Sequence, residues 1–126
     1  MRKIVINTCF GGFRLSDAGI RKYAELKGLT LYPETGRYGM PTYWLVPIDE
    51  ARTKPLASRA HFDAIFNDRN IARDDPYLVQ TVELLGAAAN GPHAVLKIVE
   101  IPDDIAWEIR DYDGKEHVAE KRSTWS

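Results

Sequence analysis

The segment NTCFGGFRLS, residues 7–16, places a thiol, two glycines and an arginine directly behind the apolar residues 4–6. A cysteine whose pKa is lowered by a helix start or a nearby cation is a nucleophile, and a guanidinium in the same loop can hold phosphate. Four residues separate Cys9 from Arg14, one fewer than phosphatase loops of this kind have. Gly11-Gly12 does not form a P-loop either, because no Gly-Lys-Ser/Thr follows it.

The segment therefore has three interpretations. It is a tight turn, in which the two glycines adopt backbone angles that other residues resist and Cys9 packs as a small apolar side chain. Alternatively, it is an anion site, in which helix-terminal N–H groups attract a phosphate and Phe10 or Phe13 stacks on a base. In the third interpretation Cys9 is the nucleophile of a small enzyme.

Other polar residues do not indicate a catalytic or metal site. The histidines, His61, His93 and His117, lie far apart, and none has ligand spacing with Cys9. The acid pairs at 74–75 and 103–104 are better explained as a helix cap and a turn. We predict no catalytic residue, no metal and no cofactor.

Two further groups of residues are candidates for binding an anion. Arg69 and Arg73, with Asn67 and Asn70 between or beside them, precede a predicted helix, although a solvated loop is the favoured interpretation. Near residue 125, the cations Lys121 and Arg122 lie close to Trp125 in the sequence. The Trp125 side chain either folds back onto its own sheet or reaches a neighbouring subunit. The predicted ligand-binding residues are Thr8, Cys9, Phe10, Gly11, Gly12, Phe13, Arg14, Arg73, Trp107, Arg122 and Trp125.

The first half of the chain predicts a β-α-β start followed by an irregular segment. Residues 3–8 form a strand of β-branched residues, Ser16 caps a helix that closes at Lys27-Gly28, and residues 29–32 form a second strand. Residues 43–46 predict another strand. The variable, irregular middle spans residues 33–70, with short helices around 48–52 and 58–66.

The second half is easier to interpret. Asp75-Pro76 starts an amphipathic helix that ends at residues 90–92, and residues 94–101 predict a central strand because both faces are mostly apolar. Asp113-Gly114 predicts a β-hairpin joining 107–110 to 116–119. The expected fold is α+β: a small single domain, residues 1–126, with a mixed β-sheet, a β-α-β start, one well-capped amphipathic helix and a C-terminal β-hairpin.

Composition limits the possible partners. The formal net charge is −1 over 126 residues, so the overall charge does not attract the protein to nucleic-acid polymers or anionic membranes. One cysteine cannot form an intramolecular disulfide, and no apolar stretch approaches the roughly 20 residues of a membrane span. We expect a cytoplasmic protein that lacks a signal segment.

The stretches KIVINTCFGGFRLS, RDDPYLVQTVELLGAAANG, LKIVEIPDD and YDGKEHVAEK together resemble a family of short proteins encoded by tailed bacteriophages and prophages. The resemblance covers residues 3–28 and 70–125. It implies an accessory viral protein that acts in the host cytoplasm, and it carries no assigned activity.

The expected function is that of a homo-oligomeric counter-defence protein, a sponge that sequesters a nucleotide-derived immune signal without catalysis. In the alternative, the protein inhibits a host or defence protein by binding it through Tyr38, Met40, Tyr43 and Trp44, because aromatics and methionine are enriched at interfaces. In the third possibility, the protein is a small enzyme that uses Cys9.

Overall fold

A computed structural model describes residues 1–35, 41–56 and 58–121 of the chain. The predicted binding residues Arg122 and Trp125, like Tyr38 and Met40, lie outside these ranges. The strands are β1 (Arg2–Asn7), β2 (Tyr32–Glu34), β3 (Thr42–Trp44), β4 (Leu96–Ile101), β5 (Trp107–Tyr112) and β6 (Lys115–Glu120). The α-helices are α1 (Asp17–Lys27), α2 (Ile48–Ala51), α3 (Arg59–Asp63) and α4 (Pro76–Leu85), with 3₁₀ turns at Asp68–Asn70 and Gly86–Ala89.

The caps predicted for the two longest helices are confirmed. Ser16 Oγ accepts from the Gly19 amide at 3.0 Å, and Gly28 closes α1 in the left-handed conformation, with φ of 79°. Asp75 accepts from the Tyr77 amide at 2.8 Å and so caps α4. Helix α4 continues from Gly86 as a 3₁₀ turn, which ends at Ala89, next to the predicted end at residue 90.

The α+β class and the C-terminal hairpin are also confirmed. Strands β5 and β6 pair from Trp107↔Glu120 to Tyr112↔Lys115. Asp113 and Gly114 both have positive φ, 50° and 89°, as a two-residue type I′ turn requires.

The expected mixed sheet is wrong in its pairing. Within the described residues the strands form three antiparallel pairs, β1–β4, β2–β3 and β5–β6, so the β-α-β order is not a parallel unit. The second edge of β1 meets side chains and a loop instead of a strand: the Val5 amide donates to the Arg73 carbonyl at 2.8 Å, and the Asn7 amide donates to Glu116 Oε1 at 2.8 Å.

The apolar sequence of β4 predicted a central strand, and this prediction is wrong. Among the described residues it pairs with β1 alone, and Lys97 and Glu100 on it are exposed. The predicted strand at 29–32 begins only at Tyr32, because Leu29 and Leu31 pack against the core instead of entering a ladder.

Two apolar clusters hold these elements together. The larger joins β1, α1 and α4 around Val5, Ile20, Tyr23, Leu78 and Val82. The smaller joins β3 to the short helices of the middle segment around Trp44, Ala51 and Ala64. Adjacent residues of β3 serve both clusters, since Tyr43 belongs to the first and Trp44 to the second.

None of the described helices has the length and apolar character needed to cross a membrane.

Candidate functional site

The glycine loop behind β1 is held by the side chain of Asn7, which is completely buried. Its Nδ2 donates to the carbonyls of Cys9 and Gly114, both at 2.7 Å. Its Oδ1 accepts from the amides of Cys9 at 3.2 Å and Val95 at 2.9 Å. One amide group therefore joins the loop, the hairpin turn and the segment that leads into β4, and all its hydrogen-bonding capacity is used.

Arg73, a predicted ligand residue, forms a bidentate ion pair with Glu116. Its two terminal nitrogens lie 2.5 and 2.9 Å from the carboxylate oxygens. The guanidinium carbon also lies 3.8 Å from the centre of the Phe13 ring, as in a cation–π contact. These contacts make Arg73 part of the scaffold that fixes the hairpin against β1.

The glycines of the loop are in close contact with other backbone. A methyl group on Gly114 would lie 2.8 Å from the Gly11 nitrogen, and one on Gly11 would lie 2.6 Å from the His93 Cβ. The hairpin turn thus packs on the face of the loop where a phosphate was expected to approach. This geometry favours the tight-turn interpretation.

The other predicted ligand residues of the loop differ in burial and in their contacts. Phe13 is 4% exposed and belongs to the larger core, whereas Phe10 is 59% exposed and meets Tyr112 edge-on. Thr8 donates its hydroxyl to the Val95 carbonyl at 3.0 Å, and the Cys9 residue is half-buried. Trp107, also half-buried, lies at the start of β5. That these residues bind a ligand stays a prediction.

Arg14 contributes to a different place, a cleft of about 280 Å³. The cleft forms where the β1–α1 loop meets β3 and the 3₁₀ turn Asp68–Asn70. Its polar lining comprises Arg14, Thr42, Tyr43, Asn67, Asp68 and Arg69, and its apolar lining Ile20, Pro41, Ile65 and Phe66.

Contacts of both its backbone and its side chain fix the position of Arg14. Its carbonyl accepts from the Gly91 amide at 3.0 Å, and its Nε lies 3.4 Å from Asp68 Oδ2. The same carboxylate oxygen accepts from the Leu15 amide at 2.8 Å. The terminal nitrogens of Arg14 have no hydrogen-bond partner in the described part of the chain.

Arg69 adds a second cation to this cleft. It is exposed, and within residues 1–35, 41–56 and 58–121 its side chain makes no ion pair. The Asn67 side chain accepts from the Arg69 amide at 3.0 Å and so shapes the turn that presents the guanidinium. Counted over the described lining residues, two arginines and one carboxylate give the cleft an excess of positive charge.

Tyr43 forms the wall toward α1. Its hydroxyl donates to Asp17, and both pKa values respond. Burial, together with this bond to a carboxylate, raises the pKa of Tyr43 above its ordinary range. The same bond, with help from Arg21, lowers the pKa of Asp17. Tyr43 therefore stays a neutral donor and Asp17 an anion at neutral pH.

Three determinants of these sites were not predicted from the sequence: Asn7, Glu116 and Asp68. Asn7 directly after a buried strand was a usable signal, because a polar residue there must find partners. Nothing local marked Glu116 or Asp68, whose partners lie 43 and 54 residues away.

No family model, curated protein or solved structure matches this chain. The resemblance to short phage-encoded proteins therefore stays a prediction.

Proposed function

We propose that the protein is a non-catalytic binding protein that holds a small nucleotide-derived anion in the cleft lined by Arg14 and Arg69. The observation that carries this proposal is the pair of arginines, whose terminal nitrogens have no partner among the described residues, beside an apolar wall. Guanidinium groups bind phosphate oxygens in a bidentate manner, and the apolar wall suits a sugar or base.

The chemistry of the lining supports binding instead of turnover. The Tyr43 phenol stays protonated because its pKa is raised, and Asp68 is already engaged by Leu15 and Arg14. The Tyr43 phenol is therefore not a proton acceptor for a reaction at neutral pH, and the Asp68 carboxylate serves to position Arg14.

The volume of the cleft, about 280 Å³, lies just below the range of about 300–1,000 Å³ that is typical for small-molecule sites. It is suited to the phosphate and sugar part of a nucleotide. The resemblance to phage proteins supplies the biological setting: the ligand is an immune signal, and the protein, as a homo-oligomer in the host cytoplasm, withholds it from its effector.

Calorimetry with mononucleotides, cyclic dinucleotides and cyclic ADP-ribose isomers tests the proposal. We expect saturable binding of at least one compound and a loss of about tenfold or more in affinity in Arg14→Gln, because a charged hydrogen bond is removed. Arg59→Gln is the matched control, since Arg59 is exposed and outside the cleft. Absence of binding across the panel, or equal affinity in Arg14→Gln, would refute the proposal.

A second candidate function, inhibition of a host protein, is favoured by a different observation. Tyr43 and Trp44, which the sequence suggested for this surface, are buried. Phe10 and Tyr112 are instead exposed beside each other, with Lys115 Nζ 5.5 Å from the centre of the Phe10 ring. Exposed aromatic pairs of this kind are typical of protein interfaces.

Affinity capture from infected cells distinguishes this candidate. A stoichiometric host protein that binds the wild type and is lost from a Phe10→Ser/Tyr112→Ser variant would support it. Capture that is equal for both proteins would argue against this surface.

The enzyme hypothesis predicts that Cys9→Ala abolishes activity, and an unchanged phenotype in that variant would dispose of it.

A further inference from the structure

A second cavity adjoins the arginine cleft. It has a volume of about 410 Å³ and shares Ile65, Phe66 and Asn67 with the cleft as lining residues. We call it the side lobe. Its remaining lining is Tyr23, Lys27, Leu29, Leu45, Asn70, Ile71, Ala72 and Asp75.

Phe66 is positioned as a common wall between the two cavities. Its backbone amide donates to the Tyr43 carbonyl at 2.8 Å, and its ring packs against Tyr23, with centres 6.0 Å apart. Tyr23 is itself buried in the larger core and fixed by a hydrogen bond from its hydroxyl to Asp75 at 2.8 Å. The half-buried Phe66 ring is thus a rigid aromatic surface, as base stacking requires.

The polar residues of the side lobe are suited to the edge of a base. Asn70 is exposed, and its side-chain amide, a donor and an acceptor, has no hydrogen-bond partner in the part of the chain that the structure describes. An asparagine amide pairs in a bidentate manner with N6 and N7 of adenine. Leu29, Leu45 and Ile71 provide apolar contacts around such a base.

The charges of the side lobe are internally balanced. Lys27 Nζ donates to the Tyr23 hydroxyl at 3.0 Å and lies 3.8 Å from Asp75 Oδ2. Among the described residues that line the side lobe, this pairing leaves no isolated cation to compete for a phosphate. The phosphate is therefore directed to Arg14 and Arg69, on the other side of Phe66.

We propose that the two cavities form one bipartite site for an adenine nucleotide. Arg14 and Arg69 hold the phosphate, while the base stacks on Phe66 in the side lobe and pairs with Asn70. This inference rests on the proposed function for the phosphate half, and it adds the identity of the base and the residues that select it.

The test compares AMP with ribose 5-phosphate, which lacks the base, by calorimetry on the full chain. We expect the wild type to bind AMP about tenfold or more tightly than ribose 5-phosphate, since stacking and base pairing are both gained. In Asn70→Ala the affinity for AMP falls by about fivefold or more, whereas the affinity for ribose 5-phosphate is unchanged. Gln80→Ala removes an exposed amide outside both cavities and is the matched control.

The outcomes separate the two proposals. Equal affinity for AMP and ribose 5-phosphate would overturn the adenine site and leave the phosphate cleft intact. A preference for GMP or CMP over AMP would also overturn it. If neither AMP nor ribose 5-phosphate binds, the phosphate half fails and the bipartite site fails with it. Phe66→Leu provides a second variant, which loses the preference for AMP while its thermal unfolding confirms that it is folded.

Discussion

Arg73 and Glu116 form a bidentate ion pair with their charged groups largely withdrawn from solvent, and the carboxylate is shared with the backbone amide of Asn7. The pair joins the loop before α4 to the start of strand β6 and closes the free edge of β1. Because the partner of each charge is supplied by a distant segment, the pair links the hairpin to the rest of the fold.

Removal of one member of this pair will strongly destabilise the protein. In Glu116→Ala the buried guanidinium loses its counter-charge and the Asn7 amide loses its acceptor, so we expect the free energy of unfolding to fall by about 3–5 kcal/mol. Denaturant titration measures the change. Glu108→Ala, which breaks the exposed pair with Arg110, is the control and costs no more than about 1 kcal/mol. Equal effects in the two variants would contradict the structural role assigned to the pair.

The contact between the hairpin turn and the glycine loop predicts a difference between two glycine variants. Gly114→Ala combines strain at a φ of 89° with a methyl group 2.8 Å from the Gly11 nitrogen. Gly28, at φ of 79° and ψ of 24°, also lies in the left-handed region, but a methyl group on it would meet nothing within 4 Å among the described atoms. We expect Gly28→Ala to cost about 1–2 kcal/mol for strain alone and Gly114→Ala to cost clearly more. Thermal unfolding of the two variants checks the order, which would be reversed or absent if the turn did not pack on the loop.

The hydrogen bond between Tyr43 and Asp17 predicts the pH dependence of stability at both extremes. The folded pKa of Tyr43 is raised, so its contribution is fully present below its ordinary value of 10.0 and is lost as the pH rises above it. The folded pKa of Asp17 is lowered, so its contribution is present above 3.8 and is lost as the pH falls below it.

In Tyr43→Phe the free energy of unfolding should therefore depend less on pH in both windows. Denaturant titration at acid, neutral and alkaline pH gives the slopes. Tyr77→Phe removes an exposed hydroxyl from α4 and is the matched control. Identical slopes in the wild type and Tyr43→Phe would show that the bond does not couple to stability.

Two leucines on α4 predict the direction of its buried face. Leu78 is completely buried, whereas Leu84 on the same helix is 63% exposed. Leu78→Ala should lower the free energy of unfolding by about 2–5 kcal/mol because it leaves a cavity, and Leu84→Ala should change it by no more than about 0.5 kcal/mol. Similar losses in both variants would mean that the helix is rotated from the position described.

Asp68 is the one carboxylate among the described residues that line the arginine cleft, and it predicts a gain of binding. Asp68→Asn keeps an oxygen for the Leu15 amide but removes the charge that faces Arg14. If the cleft binds a phosphate, the affinity for AMP should rise about threefold or more, as measured by calorimetry. A fall in affinity in a variant whose thermal unfolding is unchanged would place the anion elsewhere.

The features predicted correctly are those whose causes lie close together in the chain. Ser16 and Asp75 cap helices through amides two or three residues away, and Asp113-Gly114 contains the whole signal for its turn. Such interactions depend on residues that are neighbours in the chain, so the local sequence suffices to predict them.

The pairing of β1 could not be predicted in the same way. Its second edge is closed by the Arg73 carbonyl and the Glu116 carboxylate, which are distant in sequence and carry no periodic pattern. Phe10 and Phe13 show the same limit for the candidate site. The two have identical chemistry three residues apart, yet Phe13 is buried in the larger core, where the Arg73 guanidinium lies over its ring, and Phe10 is exposed.

The order in which β1 obtains its contacts has a consequence for synthesis. Strand β1 emerges from the ribosome before its ladder partner β4 and before Glu116, which binds the Asn7 amide from 109 residues further along the chain. The nascent chain consequently carries β1 as an unpaired apolar strand until these partners have been made. Emergence of β4 and β6 is then the event that permits cooperative folding of this domain.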